Sequence, residues 1–387
     1  MVAAALLLMV AGCLAIHRAE VLSEAGGRLA RQQMIWMVLA ILAMILVALP
    51  SYRFLLRYSY AALAVAIVLL LSVYFTSPVN GAHRWLRLGP IGLQPSDLAK
   101  LALVMALARW LTYRDNSLRL AGLVVPLVLT LVPMALILRE PDLGTALVLP
   151  PVTAAMLLAA GARPRHLAVV GLLAALAAPL LWTEMSREQK SRVTAMLEPS
   201  RAADNPTDDQ FHLHRAKQTL SVGGVGGSWL RQRRGESIPA DDAPATFLVP
   251  APATDSIACV VAERFGLWGL GLLLAFYAIL VGRGLAVARA TQEPYGRLLC
   301  VGFIALIAVQ VLINTAMMVG LLPITGISLP LVSYGGSGLL ASAAALGLIL
   351  NIAARPGFEV AGEPFRRVEV RAPNYPVVHL VASSSER

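Results

Sequence analysis

The sequence predicts an all-α polytopic membrane protein of about ten transmembrane helices. Three observations carry that prediction. The 387 residues are 58% hydrophobic and only 14% charged, with a mean hydropathy of +0.71, whereas soluble domains carry about 25% charged residues. Long stretches hold no Asp, Glu, Lys or Arg at all, and about 20 apolar residues suffice to cross the hydrocarbon core. Arginine is also distributed unevenly among the connections. The composition excludes a disordered chain, a collagen and a disulfide scaffold. Cys13, Cys259 and Cys300 form no disulfide framework and no metal-ligand spacing.

The charge-free stretches are 32–52, 58–83, 120–138, 143–162, 166–183, 265–282 and 298–354. The last is too long for one span and holds a Gly, Pro and Ser-rich centre at 320–338, so it divides into two. Apolar runs at 1–16 and 95–113 complete the set. The expected spans are 1–16, 34–50, 58–76, 95–113, 119–138, 143–161, 166–183, 257–282, 298–320 and 335–354. The first lacks the basic n-region of a signal peptide, which also weakens the lipoprotein-like box at Val10-Ala11-Gly12-Cys13.

Orientation follows from basic residues in short loops. With the N-terminus inside, the inner connections and the start of the tail hold fourteen arginines, among them Arg53, Arg57, Arg109, Arg163, Arg165 and Arg283. The short outer connections hold six: Arg18, Arg28, Arg31, Arg84, Arg87 and Arg139. An N-in, C-in layout results, with 184–256 as a large extracytoplasmic loop between helices 7 and 8. Residues 1–355 then form the membrane domain. Residues 356–387 are a polar cytoplasmic tail expected to be disordered.

Charged groups inside spans are expensive and mark functional candidates. Asp97 and Lys100 follow Pro95 at the start of span four, three apart on one face. They read either as a helix cap with an internal ion pair or as a polar pocket in which Lys100 meets an anionic ligand. Glu263 and Arg264 form a second pair in span eight. In the outer loop 77–94, Arg84, Trp85 and Arg87 combine phosphate-pairing forks with an interfacial ring; a plain aromatic anchor is the alternative. Asp142 and Thr145, in Arg139-Glu140-Pro141-Asp142-Leu143-Gly144-Thr145, can cap span six.

The long loop contains a Gly-rich stretch, Gln218 to Trp229, that reads as a phosphate cradle or as a turn. Asp255 directly precedes span eight. It reads as an N-cap, or as a carboxylate of raised pKa serving as a general base. The dense Gly and Pro of 320–338, with Ser333, Tyr334 and Ser337, imply non-helical backbone lining a protected cavity. Gln310 and Asn314, inside span nine, suit interhelical hydrogen bonds.

Four blocks together resemble the SEDS proteins (shape, elongation, division and sporulation), which include RodA and FtsW. They are Asn80-Gly81-Ala82-His83-Arg84-Trp85-Leu86 running to Gln94-Pro95-Ser96-Asp97-Leu98-Ala99-Lys100; Pro141-Asp142-Leu143-Gly144-Thr145-Ala146; Thr254-Asp255 leading to Ala262-Glu263; and Leu322-Pro323-Ile324-Thr325-Gly326-Ile327 through Ser333-Tyr334-Gly335-Gly336-Ser337. The Thr-Gly-Ile form of the last block is more similar to RodA than to FtsW.

The resemblance implies a peptidoglycan glycosyltransferase in the bacterial cytoplasmic membrane. Such an enzyme polymerises the lipid-linked precursor lipid II at the outer face, in cell elongation or division, beside a class B penicillin-binding transpeptidase. It implies Asp255 as the catalytic acidic residue. The candidate substrate-binding residues are Arg84, Trp85, Arg87, Asp97, Lys100, Asp142, Gln218, Ser333, Tyr334 and Ser337. A divalent cation such as Mg is the one cofactor considered, and the sequence offers no dedicated cage for it. Other elongation or division proteins and membrane lipids are the remaining expected partners.

This chain departs from the usual family pattern in three places. Ala251 and Ala253 replace the Glu and His of Pro-Glu-x-His-Thr-Asp, which removes the usual support around Asp255. Asp97 stands for Glu, and Gly338 for a second Ser. A lipid II flippase and a non-catalytic scaffold for the transpeptidase are the alternatives. The polar groups gather at the outer ends of spans rather than at midplane, which favours surface chemistry. The net charge of +10 is mostly the cytoplasmic arginine that sets topology, so it is not a nucleic-acid footprint.

Overall fold

The computed structural model describes residues 1–23, 26–76, 84–88, 91–112, 120–197, 209–233 and 249–355. Positions 80–83, Arg114, Arg119, Arg234 and the tail at 356–387 lie outside the described residues, as does the Arg87 side chain.

Each of the ten apolar segments coincides with a helix: α1 (Val2–Leu22), α2 (Arg28–Ala48), α3 (Arg53–Val73), α4 (Pro95–Thr112), α5 (Val124–Arg139), α6 (Leu143–Ala159), α7 (Pro164–Glu184), α11 (Ile257–Ala290), α12 (Pro294–Val319) and α13 (Gly336–Ala353). The long connection before α11 contributes α8 (Arg187–Leu197), α9 (Asp209–Gly223) and α10 (Gly227–Arg233). Among the described residues, seven helices are long and apolar enough to cross a membrane, and the apolar stretches Leu143–Ala159 and Pro164–Leu180 are shorter. Large apolar side chains such as Leu46, Val68, Leu131, Leu172 and Leu176 are exposed on the outside of the bundle. Such a surface fits lipid rather than water. The chain is a multi-pass membrane protein.

Helix α12 sits at the centre, packed against α4, α6 and α11, while α2 pairs with α13 and α3 with α4. Helix α1 runs beyond the expected end at residue 16. Its charged residues find partners that let the helix continue. Arg18 pairs with Glu263 at 3.1 Å, and the Glu20 carboxylate accepts the backbone N–H groups of Leu29 (2.5 Å) and Ala30 (2.9 Å) that open α2. Glu263 therefore does not pair with Arg264, its sequence neighbour. Arg264 donates to Gln232 Oε1 at 2.9 Å instead.

The loop before α4 folds into a small antiparallel hairpin, β1 (Leu86–Leu88) against β2 (Ile91–Leu93), with Leu86 opposite Leu93. It is the one departure from an all-α chain among the described residues.

At about 1.5 Å per residue, the 34 residues of α11 reach well beyond the ~30 Å hydrocarbon core. Gly266 breaks it with non-helical angles (φ 66°, ψ −158°). The break leaves the next amides without helical acceptors. Two carbonyls from the Gly-rich stretch take them, Gly224 O from Leu267 N at 2.9 Å and Val225 O from Trp268 N at 3.4 Å. A Cβ on Gly227 would collide with Arg264 O, so the glycines serve close backbone approach. The stretch at 218–229 thus interlocks with α11.

Candidate active site

A cavity of about 370 Å³ opens at one end of the bundle. Four connections converge on it: the β1–β2 hairpin, the α5–α6 turn, the loop before α11 and the non-helical segment 320–335. Arg84, Trp85, Asp97, Lys100, Asp142 and Asp255 all face it, as do Ser333 and Tyr334.

Asp97 enters in the first turn of α4, where Pro95 starts the helix and the positive end of the dipole favours a carboxylate. Its Oδ1 is 2.8 Å from Lys100 Nζ, with both side chains more than nine-tenths buried. Its Oδ2 accepts from Ser337 Oγ at 2.9 Å, and Ser337 Oγ in turn accepts from Gln94 N at 3.2 Å. Ser337 thus stands behind Asp97. The ion pair and the pocket, alternatives on sequence grounds, coexist.

Asp142 caps α6, accepting from Thr145 N (3.1 Å) and Thr145 Oγ1 (2.8 Å). It also accepts from Gln94 Nε2 at 3.2 Å, which ties the α4 entry to the α6 entry. Arg84 is aimed by two carbonyls, donating from Nε to Glu140 O (3.2 Å) and from Nη2 to Pro141 O (2.5 Å). The Glu140 carboxylate is buried, and neither oxygen has a hydrogen-bond partner among the described residues. Burial, then the charge of Asp142, pushes its pKa up to about 8 against the opposing pull of Arg84, which favours the protonated form.

Asp255 is not the cap of α11. Ser256 holds that position, without a side-chain capping bond, and the Asp255 carboxylate faces the cavity. Its main chain is fixed from the opposite wall. Asn314 Nδ2 donates to Asp255 O (2.8 Å) and to Ile327 O (2.7 Å). Ser333 Oγ donates to Thr254 O at 2.6 Å, and Tyr334 N donates to Ala253 O at 2.8 Å. Gly326 (φ 73°) passes so close that a Cβ there would lie 3.4 Å from Asp255 Oδ2. Burial, then the charge of Asp142, raises the Asp255 carboxyl to about 7, with Arg192, Arg84 and the Thr254 hydroxyl pulling the other way. A carboxylate so poised can take a proton near neutral pH.

Gln218 lies apart from this group on α9, where its Oε1 accepts from Arg215 at 3.3 Å. Tyr334 uses its hydroxyl on Gln32 Oε1 at 2.7 Å, which anchors the 320–335 segment to α2. Gln94 and Asn314 shape the site more directly than their sequence context indicated. Only the uncharged polar side chains themselves, in apolar surroundings, signalled them.

No group of three or more His, Cys, Asp or Glu able to hold a metal occurs among the described residues. Asp97 is committed to Lys100 and Asp142 to a helix cap. The donor set among the described residues does not fit a resident divalent cation.

The family model of cell cycle proteins that joins FtsW, RodA and SpoVE matches residues 1–356. A probable peptidoglycan glycosyltransferase FtsW of Geobacter metallireducens is 33% identical over 84% of each chain. The peptidoglycan glycosyltransferase MrdB of Escherichia coli is 35% identical over 74% of this chain and 75% of its own. Among solved structures, a chain from a peptidoglycan synthase complex that coordinates polymerization and crosslinking superposes with a TM-score of 0.77 at 30% identity, covering 92% of this chain and 98% of that one. The Thermus thermophilus rod shape determining protein RodA gives 0.66 at 28% identity, over 92% and 97%. With the match running through every element that builds the cavity, the chain belongs to the FtsW, RodA and SpoVE family of cell cycle proteins.

Proposed function

We propose that the chain is a peptidoglycan glycosyltransferase that polymerises lipid II into glycan strands at the outer face of the cytoplasmic membrane. The observation that carries the reading is Asp255, a carboxylate raised to about 7 facing a cavity that also presents Arg84 and Lys100. The relatives named as peptidoglycan glycosyltransferases support the same activity. The arginine bias supports an outward position for the cavity, with all ten long helices crossing the membrane and 184–256 outside.

Growth of the strand requires the 4-hydroxyl of one sugar to attack C1 of the next. The new C1–O4 bond forms as the C1–O bond to the lipid diphosphate breaks, with inversion at C1. Asp255 accepts the hydroxyl proton, and the bond's electron pair leaves with the diphosphate. Arg84 and Lys100 face the cavity with their positions already fixed, by two carbonyls and by Asp97 respectively. Cations held in place before reaction stabilise developing charge without reorganising. A class B penicillin-binding transpeptidase is the expected partner, in keeping with the synthase complex among the structural relatives.

The test is glycan synthesis from labelled lipid II by the purified chain with its transpeptidase partner, with Asp255→Ala alongside. Polymer from the intact protein and none from the variant is the expected result. No polymer from the intact complex would sink the polymerase reading, and lipid II crossing vesicles without polymer would favour a flippase.

A further inference from the structure

The loop that carries Asp255 has two sides. Asn314, Ser333 and Tyr334 hold the side facing α12 and α13. The opposite side meets α9, and there one side chain reaches both ends of the loop. His212 Nε2 lies 3.1 Å from Pro250 O and 3.3 Å from Ser256 Oγ. Ser256 Oγ itself donates to Pro250 O at 3.1 Å. The three groups close a triangle that pins residue 250 to residue 256, with Asp255 between them. Ala251 sits inside this span at a left-handed φ of 50°, a conformation that an alanine holds only under external constraint. Within the loop, Ala251 O accepts from Thr254 N (3.2 Å), Thr254 Oγ1 (3.3 Å) and Ser256 N (3.3 Å), which closes the turn on itself; the methyl side chains at 251 and 253 add no polar tie to another element.

The chemistry of the triangle places one proton. Pro250 O can only accept, so Nε2 carries the hydrogen. Burial lowers the pKa of His212, and Arg192 acts in the same direction, against the Pro250 hydrogen bond and Asp209. His212 Nδ1 is buried with no hydrogen-bond partner among the described residues. An N–H donor committed to a backbone carbonyl is the arrangement of a clamp rather than of a group that exchanges protons with substrate.

We propose that His212 is a positioning residue for the glycosyl transfer, holding the Asp255 loop in its working conformation from the α9 side. The proposal rests on the reading of Asp255 as the base. It assigns a function to the extramembrane α8–α10 segment within the chemistry, besides any role in partner contact.

The test uses the full chain in lipid nanodiscs with its transpeptidase partner, as His212→Ala, His212→Gln and Ser256→Ala. Losing one buried hydrogen bond corresponds to about a tenfold effect. His212→Ala is expected to lower kcat about tenfold, with KM for lipid II within about twofold. His212→Gln, whose amide can still donate to Pro250 O, should recover most of the rate. Ser256→Ala, removing one corner of the triangle, should lower kcat in the same direction by about threefold. Hydrogen exchange of residues 249–256 gives a readout that needs no activity. It should quicken about tenfold in His212→Ala and return in His212→Gln. Unchanged kcat and exchange in His212→Ala would overturn the proposal. So would a rise in KM alone, or a Gln variant as impaired as Ala, which would mark simple packing. Asp255→Ala run alongside keeps the two readings apart. If it polymerises at the full rate, the base assignment fails while the exchange result still decides whether His212 clamps the loop.

Discussion

Lowering the pH from 8 to 6 is expected to cut the polymerisation rate about tenfold. The general base works only when deprotonated, and the Asp255 carboxyl is raised from its ordinary 3.8 to about 7. An acid of pKa about 7 is about nine-tenths ionised at pH 8 and about one-tenth ionised at pH 6. An unperturbed aspartate would stay ionised across that range and give a flat profile. The assay is kcat/KM for labelled lipid II between pH 5.5 and 8.5, with the partner present and the protein's thermal stability followed in parallel. Asp142→Asn provides the internal check. After burial, Asp142 is the charge that raises Asp255, and asparagine keeps an acceptor for the α6 cap. The midpoint should therefore move to lower pH in that variant. A flat profile between 6 and 8, or a midpoint indifferent to Asp142→Asn, would refute the assignment.

Three further outcomes follow from the geometry. Lys100→Met leaves Asp97 buried without its counter-ion, which costs ~3–5 kcal/mol; thermal unfolding in detergent should show it, and Asp97→Asn added to the same chain should recover much of the loss. Gly326→Ala places a Cβ at a φ of 73° and 3.4 Å from Asp255 Oδ2; about 1–2 kcal/mol of stability and a larger share of kcat should be lost, and full activity would contradict the close packing described. Gly338→Ser has room, since a Cβ there would lie 3.6 Å from Asp97 Oδ2. Its hydroxyl should add a hydrogen bond to that carboxylate and raise stability by about 1 kcal/mol, and an unchanged or lower Tm would count against it.

Apolar runs were legible because a lipid-facing helix needs little beyond length and hydropathy, and all ten segments became helices. Charge was harder to read. Hydropathy stops α1 at residue 16, while the structure carries it to Leu22 because the partner of Arg18 is Glu263, 245 positions away. The same distance hid the separation of Glu263 from Arg264. The Gly-rich stretch before Trp229 looks like a cradle or a turn until the break at Gly266 supplies the amides it satisfies. Local spacing cannot reveal that match. Among the site residues, Asp97, Lys100, Asp142 and Asp255 stood out as carboxylates and an amine at span ends. Asn314 stood out only as a polar side chain inside span nine, and Gln94 and His212 did not stand out, since each acts on backbone or side chains brought near only by the fold. The β1–β2 hairpin was missed because strands of three residues carry too little alternation to register.

The clamps on Asp255 also set an order of events during synthesis. Asn314 follows Asp255 by 59 residues, and Ser333 follows Thr254 by 79. Chains emerge from the ribosome N-terminus first, so the base is made well before the groups that hold it. Only His212 is already present. A chain stalled or truncated before residue 314 would insert most of its helices yet carry an Asp255 loop held only from the α9 side. Catalytic competence therefore arrives as one of the last steps of assembly. A half-made polymerase in the membrane would lack the fixed base that acts on its substrate.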